Sequence, residues 1–469
     1  MSTFLHAALL VLVIITCFNV IIFVHELGHF LAARWRGLKV EKFYIWFGKP
    51  LWKKKINGVE YGLGSLPFGG YVALPQMAPM EAIEGRSDAS EPLPPISALD
   101  KIIVAFAGPL FSMLLALAAA LVVWQVGKPK DFVATNQIGY VEKGGPAAKA
   151  GLLPGDRIIA INGEKVNGFG GSLDSIAERI ILSRGNELRF LIERPGIPDR
   201  MEITTGFETE KTQWWQRRAL RQIGIDPAGT ATIEKVFPHS PAAEAGIKAG
   251  DRIVSIDDTP LFSPAQFHLR LQETNGKPVN LRVQSPGGAT REVVITPEVP
   301  ESPAGEKPMA GFLWGDTVDL DTRIVHPGPF EQVGDSLEMM WVTITSVISP
   351  QSSIGIDHLS GPVGIAQLQW LLLQTEDGWR RLLSFFVLFN VNLAVLNMLP
   401  FPVLDGGHIT LAVLEKLAGR PVKAKPLEII QTACALLLIG LMLFVTSKDV
   451  GDLFGRGGKE PPDPVFSKG

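Results

Sequence analysis

Hydrophobic residues gather into four long blocks along the chain. The first covers residues 4–24, in which only His6, Thr16 and Asn19 are clearly polar. A helix of that length crosses about 30 Å of hydrocarbon. A signal peptide is the competing interpretation, but no Lys or Arg precedes the block and no small-residue cleavage site follows it. With further blocks at 99–126, 382–399 and 427–447, the pattern predicts a multi-pass α-helical membrane protein with four transmembrane helices.

Positive charge is distributed unevenly between the segments that connect these blocks. Residues 34–98 carry nine Lys or Arg and residues 400–426 carry four, whereas none precedes the first block. The positive-inside rule places both of these segments in the cytosol. We therefore expect residues 127–381 and both termini on the opposite side of the membrane.

The outer segment contains an internal repeat. Residues 146–161 and 241–256 are identical at ten of sixteen positions, and both include the string Gly-Asp-Arg-Ile ahead of an apolar stretch. This pattern resembles the PDZ domain, and it predicts two tandem PDZ-like α+β domains at 127–210 and 222–297. PDZ domains bind extended peptides at a sheet edge. A role as spacers or steric covers is the alternative.

Two segments follow the repeats. Residues 330–349 place apolar side chains at helical spacing, which predicts an amphipathic helix on the membrane surface within a membrane-associated region at 328–380. That region also holds a Gly-Pro-Val-Gly string at 361–364. Residues 448–469 are rich in Gly, Pro and charge, and we expect this tail to be disordered.

Composition narrows the class of function. Charged residues make up 19% of the chain and the net charge is −3, so nothing indicates a nucleic-acid partner. Cys17 and Cys434 are the only cysteines, which excludes a disulfide-built scaffold and a cysteine-rich metal module.

The first block runs directly into His25-Glu26-Leu27-Gly28-His29. Two histidines at i and i+4 lie on one face of a helix and can reach one tetrahedral metal ion. The glutamate between them can accept a proton from water. Ordinary surface histidines are the alternative, but ionisable groups are costly at the end of an apolar span.

A third protein ligand is needed for a catalytic zinc site. The best candidate is Asp405, which follows Pro400 and Pro402 at the end of the third block. Both prolines prevent a regular helix, and irregular backbone at membrane depth survives where it is buried in protein or lines a wet cavity. Asp405 could also act as the N-cap of the next helix. Asn390 and Asn392 in the same block mark either function or hydrogen bonds between helices.

These motifs resemble those of the site-2 protease family of intramembrane zinc metalloproteases. The string His-Glu-Leu-Gly-His ends the first block, Asn-Met-Leu-Pro-Phe-Pro-Val-Leu-Asp-Gly-Gly (397–407) ends the third, and PDZ-like repeats lie between the second and third. Phe106-Ala-Gly-Pro109 resembles a further family motif, although Ser112 stands where the family often has Asn. Residues 60–74 resemble the family's membrane re-entrant β-loop, with an ordinary cytosolic turn as the alternative.

The resemblance implies specific roles. One zinc ion per chain would be bound by His25, His29 and Asp405, with Glu26 as the catalytic base. Asn397, Pro400 and Pro402 would contact or shape the unwound substrate, and a re-entrant β-hairpin with Gly69 and Gly70 would pair with it. The remaining histidines are expected to be structural, with His408 at most near the metal.

The resemblance also implies a setting. Expected substrates are pre-cleaved single-span membrane proteins such as an anti-sigma factor, and remnant signal peptides. We expect a bacterial inner membrane protein that contacts lipid, with periplasmic PDZ domains that bind peptide C-termini or exclude bulky substrates. The active site would lie near the cytosolic face. A catalytically inactive scaffold presenting two PDZ domains is the alternative, which intact Glu26 and Asp405 disfavour.

Overall fold

The structure is a computed structural model that describes residues 2–77, 96–303, 307–315, 318–420, 422, 424–455 and 463–466. The chain forms two compact units. The membrane unit comprises residues 1–129, 324–345 and 359–450, and the repeat unit comprises residues 130–323, 346–358 and 451–469.

The helices of the described residues are α1 (Ser2–Trp35), α2 (Ala98–Val126), α3 (Pro146–Ala150), α4 (Ile176–Leu182), α5 (Pro241–Glu244), α6 (Pro264–Glu273), α7 (Pro329–Ile348), α8 (Pro362–Gln374), α9 (Gly378–Asn397), α10 (Asp405–Ala418) and α11 (Ala424–Gly455). The strands are β1 (Lys42–Phe47), β2 (Trp52–Ile56), β3 (Val59–Leu63), β4 (Leu66–Ala73), β5 (Lys128–Val133), β6 (Ile138–Val141), β7 (Arg157–Ile161), β8 (Glu164–Lys165), β9 (Leu188–Glu193), β10 (Met201–Thr205), β11 (Ile225–Pro227), β12 (Ile233–Val236), β13 (Arg252–Ile256), β14 (Thr259–Pro260), β15 (Val279–Gln284), β16 (Thr290–Ile295), β17 (Phe312–Trp314) and β18 (Leu320–Val325).

Four helices of the described chain are long and apolar enough to cross a membrane, as the hydropathy pattern predicts. They contain the spans Phe4–Trp35, Ala98–Val126, Gly378–Asn397 and Pro426–Asp452. Helix α7 also forms where an amphipathic helix is predicted. Helix α11, however, continues to Gly455, so the expectation of a disordered tail from residue 448 is wrong for its first turns.

Helix α2 lies at the centre of the membrane unit, where it packs against α1, α9 and α10. Its packed face is built from small residues: Ala105, Ala107, Ala116 and Ala120 are each at least 94% buried. Small side chains let helix backbones approach closely. At Gly28 of α1, an added Cβ would lie 2.4 Å from the carbonyl oxygen of Ala107, so only glycine permits this contact.

A four-stranded sheet follows α1 in the order β2-β3-β1-β4. Strand β1 pairs with β3 in parallel and with β4 in antiparallel orientation. The predicted hairpin of residues 60–74 is therefore wrong in its pairing, because β1 lies between β3 and β4. The aromatic segment 42–47 forms that strand, and its period-2 pattern is too short to distinguish from a helical turn by sequence alone.

The sheet contacts the first span directly. Nε1 of Trp46 donates a hydrogen bond of 2.7 Å to Oδ1 of Asn19, one of the few polar residues in the first hydrophobic block. A Cβ at Gly70 would lie 2.9 Å from Cγ2 of Ile22. Strand β4 is thus held against the part of α1 that carries the histidines.

The glycines of 361–364 hold a buried carboxylate. Asp449 of α11 is 1% exposed, and its Oδ2 accepts hydrogen bonds from the backbone N–H groups of Gly361 (3.0 Å) and Gly364 (2.8 Å) at the start of α8. A helix N-terminus favours an anion in this position. A Cβ at Gly364 would lie 2.5 Å from Oδ1 of Asp449, so the contact requires glycine.

The two sequence repeats have the same topology. Their four-stranded sheets have the orders β10-β9-β7-β8 and β16-β15-β13-β14, and each has its own buried hydrophobic core. The strand register shifts at the equivalent place, between Ile158 and Ala160 in the first repeat and between Ile253 and Ser255 in the second. The duplication in sequence is therefore a duplication of fold.

Each repeat is closed by a strand that lies beyond its predicted end. In the first, β11 pairs with β6, and in the second, β17 pairs with β12. Strand β11 lies after residue 210, the predicted end of the first domain, and β17 lies after residue 297, the predicted end of the second. Both are only three residues long, which is too short for a hydrophobic pattern to reveal.

Candidate metal centre

Helix α1 carries both motif histidines because it continues past the apolar block to Trp35 without a break. His25 and His29 are each 8% exposed. Their Nε2 atoms lie 3.3 Å apart, as expected for side chains one helical turn apart on the same face.

The other nitrogen of each imidazole is held by α2. Nδ1 of His29 donates a hydrogen bond of 2.8 Å to the carbonyl oxygen of Val104. Nδ1 of His25 lies 2.9 Å from Oγ of Ser112, which we assign as its acceptor. With its proton on Nδ1, each neutral imidazole presents the lone pair of Nε2 to the same point in space.

Asp405 completes the cluster from the opposite side. Its Oδ2 lies 3.2 Å from Nε2 of His25, and its Oδ1 lies 3.3 Å from Nε2 of His29. Asp405 is the first residue of α10, whereas the N-cap position is occupied by Leu404. The alternative role of Asp405 as N-cap is therefore wrong, and its carboxylate faces the histidines.

Two glycines let the chain turn sharply enough to place Asp405. A Cβ at Gly406 would lie 2.3 Å from the carbonyl oxygen of Met398, and one at Gly407 would lie 2.1 Å from that of Phe401. The segment between α9 and α10 therefore folds back onto the first turn of α10. Any larger residue at these two positions would push Asp405 away from the histidines.

These three side chains fit a zinc ion. The donor atoms are separated by 3.2–3.3 Å, and a tetrahedral site with Zn–N and Zn–O distances of about 2.0–2.1 Å has edges of about 3.3–3.4 Å. Two nitrogen lone pairs and a carboxylate facing one another also need a cation between them. Among the described residues, His25, His29 and Asp405 are the one set of three His, Cys, Asp or Glu side chains whose ligand atoms all lie within 4.8 Å of one another.

Glycine also makes room for one of the ligands. Gly108 of α2 lies against the ring of His29, and a Cβ there would come within 2.2 Å of Nε2. The Phe-Ala-Gly-Pro string at 106–109 thus brings the α2 backbone directly against the imidazole. Its glycine is required by the close approach of the His29 ring and not by helix α2 itself.

Glu26 lies beside the cluster without belonging to it. It lines a cavity of about 390 Å³ together with the two histidines and Asp405. A Cβ at Gly70 of β4 would lie 3.1 Å from Cγ of Glu26, so the glutamate side chain packs between α1 and the sheet. A carboxylate in this position can reach both water and a substrate in the cavity.

The structure brings some of the predicted substrate residues to the cavity. Asn397, Gly69 and Gly70 line it, as does His408, which is not among the donor atoms of the cluster. Pro400 is exposed and Pro402 is partly exposed in the turn that precedes Asp405, and neither is among the residues lining the cavity. Gly69 has a φ of 72° and lies against the ring of Phe47, so its position requires glycine.

Asn390 does not link two helices through its amide nitrogen. That Nδ2 donates instead to the carbonyl oxygen of Phe386 in the same helix, at 2.8 Å. The Oδ1 atoms of Asn390 and Asn392 are buried without a hydrogen-bond partner among the described residues. The hydrogen bond of the Asn390 amide nitrogen therefore stays within α9 and does not join two helices.

Ser112 is the residue whose role the sequence leaves open. It is fully buried, and it orients His25 as the carbonyl of Val104 orients His29. It lies 87 residues from its partner, so no local pattern connects them. Two signals were available: its place where the resembling family often has Asn, and its place one helical turn after Gly108.

Comparisons with known proteins identify the family of the chain. The model of peptidase family M50 matches residues 13–441. The chain belongs to peptidase family M50. It is 29% identical to the regulator of sigma-E protease RseP of Escherichia coli strain K12, over 92% of this chain and 96% of that protein.

Two other relatives are named as zinc metalloproteases. The chain is 30% identical to a putative zinc metalloprotease of Pasteurella multocida over 92% of its length and 96% of the relative's. A putative zinc metalloprotease of Xylella fastidiosa strain 9a5c is 29% identical over 91% and 95%. The chain is therefore a zinc metalloprotease of the site-2 type, and the predicted family, enzyme class and cofactor are confirmed.

Proposed function

We propose that this chain hydrolyses a peptide bond inside the transmembrane segment of single-span membrane proteins whose outer domain has already been removed. One observation carries the proposal. His25, His29 and Asp405 converge beside Glu26, and the helix that bears three of these four residues is itself of membrane-spanning length. A site built on such a helix meets its substrate at membrane depth. Because one relative is named a regulator of sigma-E, we include an anti-sigma factor among the substrates, together with remnant signal peptides.

The residues divide the chemistry between them. Zinc held by His25, His29 and Asp405 would supply a Lewis acid that polarises the scissile carbonyl and makes water more acidic. Glu26 accepts a proton from the attacking water and delivers it to the nitrogen of the leaving amine. Ser112 and the carbonyl of Val104 keep the imidazoles in the tautomer that this reaction needs.

Strand β4 is proposed to hold the substrate in extended form. It is an edge strand of its sheet, and Gly69 and Gly70 within it line the cavity next to Glu26. An extended peptide added to this edge would recover the hydrogen bonds that it loses when its helix unwinds. Asn397 at the end of α9 offers a further amide on the same cavity. Contact between the sheet and Asn19 within the first span supports the assignment of β1–β4 as a membrane re-entrant element.

We further propose that the repeats are periplasmic PDZ-like domains of a bacterial inner membrane protein. With four spans, both termini and the repeat unit would lie on one side, and the positive residues of 34–98 favour the cytosol for the other side. The metal centre would then lie near the cytosolic face. Lipid surrounds the membrane unit in this arrangement.

The repeats are proposed to exclude substrates that still carry a bulky outer domain. This role is tested by deleting residues 134–319 and joining the neighbouring strands β5 and β18 with a short Gly-Ser linker, which leaves both strands intact. The shortened protein should cleave uncut substrates that the full chain rejects. Unchanged selectivity, with normal cleavage of pre-cut substrate, would contradict the exclusion role and leave peptide docking.

The central experiment is cleavage of a single-span substrate, already truncated outside, by the purified chain in liposomes. Mass spectrometry of the products should locate the cut within the apolar span, and a zinc chelator should abolish it. The alternative function is a scaffold that presents two PDZ-like domains without catalysis. A zinc-loaded chain that cuts none of a panel of such substrates would favour the scaffold.

A further inference from the structure

A short piece of the C-terminal tail, Asp463–Phe466, lies against the second repeat. The backbone N–H of Glu301 donates a hydrogen bond of 2.8 Å to the carbonyl oxygen of Val465, and the N–H of Val465 donates one of 2.9 Å to the carbonyl oxygen of Ser302. The two segments run antiparallel at this point. The two bonds form an isolated antiparallel bridge, the kind of backbone contact by which one extended segment docks on another.

Side chains on the tail distinguish an inner from an outer face. Phe466 is 6% exposed, whereas its neighbour Val465 is 54% exposed. The ring of Phe466 lies beside Gly311, where a Cβ would be 3.1 Å from Cε2. Burying a phenylalanine side chain stabilises a contact by removing apolar surface from water. The tail therefore has an anchor residue in addition to its backbone bonds.

The contact has a polar component as well. Nζ of Lys235 lies 2.5 Å from Oδ2 of Asp463. Both side chains are more than half exposed, so this ion pair contributes little to stability and mainly helps to orient the tail. Lys235 belongs to β12, the strand that pairs with β17 to close the second repeat.

Next to this contact lies an apolar cavity of about 560 Å³. Its walls come from helix α6, which contributes Phe267 and Leu271, and from strand β17, which contributes Phe312. Pro464 of the tail lines the same cavity. A groove between a strand and a helix is where an extended peptide can add to a sheet edge while its side chains enter an apolar pocket.

We propose that Asp463–Phe466 is a built-in ligand of the second repeat. It occupies in cis the entrance of a groove that accepts extended peptides of the same chemistry: an acidic residue, a proline, and an aromatic anchor two residues further on. An external peptide must displace the tail before it can bind. Two spans separate β17 from the tail, so both lie on the same side of the membrane.

The test compares the full chain with a chain that ends at Gly455, both purified in detergent. The probe is a fluorescein-labelled synthetic peptide with the sequence of residues 461–469, Pro-Pro-Asp-Pro-Val-Phe-Ser-Lys-Gly. The shortened chain should bind the peptide. Because a tethered segment acts at an effective concentration on the order of millimolar, the full chain should bind it at least about tenfold more weakly.

Two neighbouring substitutions provide a matched pair in the full chain. Phe466→Ala removes the buried anchor and should bring peptide binding close to that of the shortened chain. Val465→Ala leaves the backbone bonds and trims an exposed side chain, so binding should stay as weak as in the unaltered chain. Hydrogen exchange gives an independent readout, since the amide of Glu301 should exchange faster in the shortened chain and in Phe466→Ala only.

Equal binding of the peptide to the full and shortened chains would overturn the proposal. So would absence of binding to a shortened chain that retains its zinc and its melting temperature. None of the tail residues belongs to the metal centre, so either result would leave the catalytic assignment intact.

Discussion

The repeat unit and the metal centre of the membrane unit pair their aspartates with different partners. In the repeat unit, Asp156 and Asp251 are 1% and 2% exposed, and each is paired with an arginine of its own repeat. Arg194 reaches Asp156 with two bonds of 2.7 Å, and Arg291 reaches Asp251 at 2.6 Å. In the membrane unit, Asp405 faces Nε2 atoms of two histidines instead.

The partner of a carboxylate that is withdrawn from water helps to distinguish a structural role from a catalytic one. A buried carboxylate paired with an arginine is satisfied within the chain, and its role is to hold a turn in place. Asp405 faces the Nε2 atoms of two imidazoles that we assign as protonated on Nδ1. A metal ion from outside the chain can balance the charge of such a carboxylate, so this arrangement indicates a candidate functional site.

The largest effect is expected at Asp405. Asp405→Asn removes the negative charge from the cluster, so metal affinity should fall by more than the about 10–100-fold typical of losing an outer partner. Cleavage should fall to background. Zinc content of the purified variant, measured by elemental analysis, checks the first effect. Full zinc occupancy in this variant would contradict the assignment of Asp405 as a ligand.

The next largest effect is expected in the repeats and concerns stability only. Asp251→Asn breaks the pair with Arg291, and we expect it to cost about 2 kcal/mol of unfolding free energy because Asp251 is buried. Asp258→Asn is the control, since that side chain is 86% exposed and its arginine contact is a surface pair. Thermal unfolding measures both. A normal melting temperature in Asp251→Asn would show that the pair between Asp251 and Arg291 does not stabilise the second repeat.

A smaller effect is expected at Ser112. Ser112→Ala removes the acceptor that orients His25, so zinc affinity should fall by about tenfold while the fold is kept. Ser336→Ala is the control: that buried serine donates to the carbonyl oxygen of Gln332 within α7 and touches no ligand. Competition with a zinc chelator of known affinity gives the readout. Equal zinc affinity in the two variants would refute a positioning role for Ser112.

The smallest effect is a pH dependence at Asp357 in the repeat unit. Hydrogen bonds from Arg218 hold the pKa of Asp357 well below its usual range. A lowered folded-state pKa contributes stability above the ordinary value of about 3.9, and that stability is lost as pH falls through the folded value. Asp357→Asn should therefore lower the melting temperature at pH 7.

The gap between the Asp357→Asn variant and the unaltered chain should begin to narrow below about pH 4 and keep narrowing as the pH falls further toward the folded-state pKa. Because Arg218 is 65% exposed, we expect a gap of less than about 1 kcal/mol. Melting curves between about pH 3 and pH 7 measure it. A gap that stays constant over this range would mean that the ion pair does not contribute.

The sequence predicts that His25, His29 and Asp405 come together because each lies in a strong local pattern. The i, i+4 spacing of His25 and His29 fixes their common face, and the prolines around Asp405 indicate a broken segment where a carboxylate can turn inward. Apolar blocks predict the spans for the same reason, since a helix of about twenty apolar residues matches the thickness of the hydrocarbon core.

What the sequence misses depends on contacts between distant segments. Ser112 and Gly108 meet the histidines only after α1 and α2 have packed together. The sequence of one strand does not reveal which strands it will pair with, so the place of β1 between β3 and β4 could not be predicted. The docking of Phe466 on the second repeat joins segments that are far apart along the chain, and the composition of the tail predicts disorder.

The most direct test of the catalytic account is a single variant measured in two ways. Glu26→Gln should retain one zinc ion per chain, because Glu26 lies beside the His25, His29 and Asp405 cluster and outside it. The same preparation should fail to cut a pre-truncated single-span substrate that the unaltered chain cuts within its apolar span. A Glu26→Gln protein that cleaves at the normal rate, or one that has lost its zinc, would contradict the account.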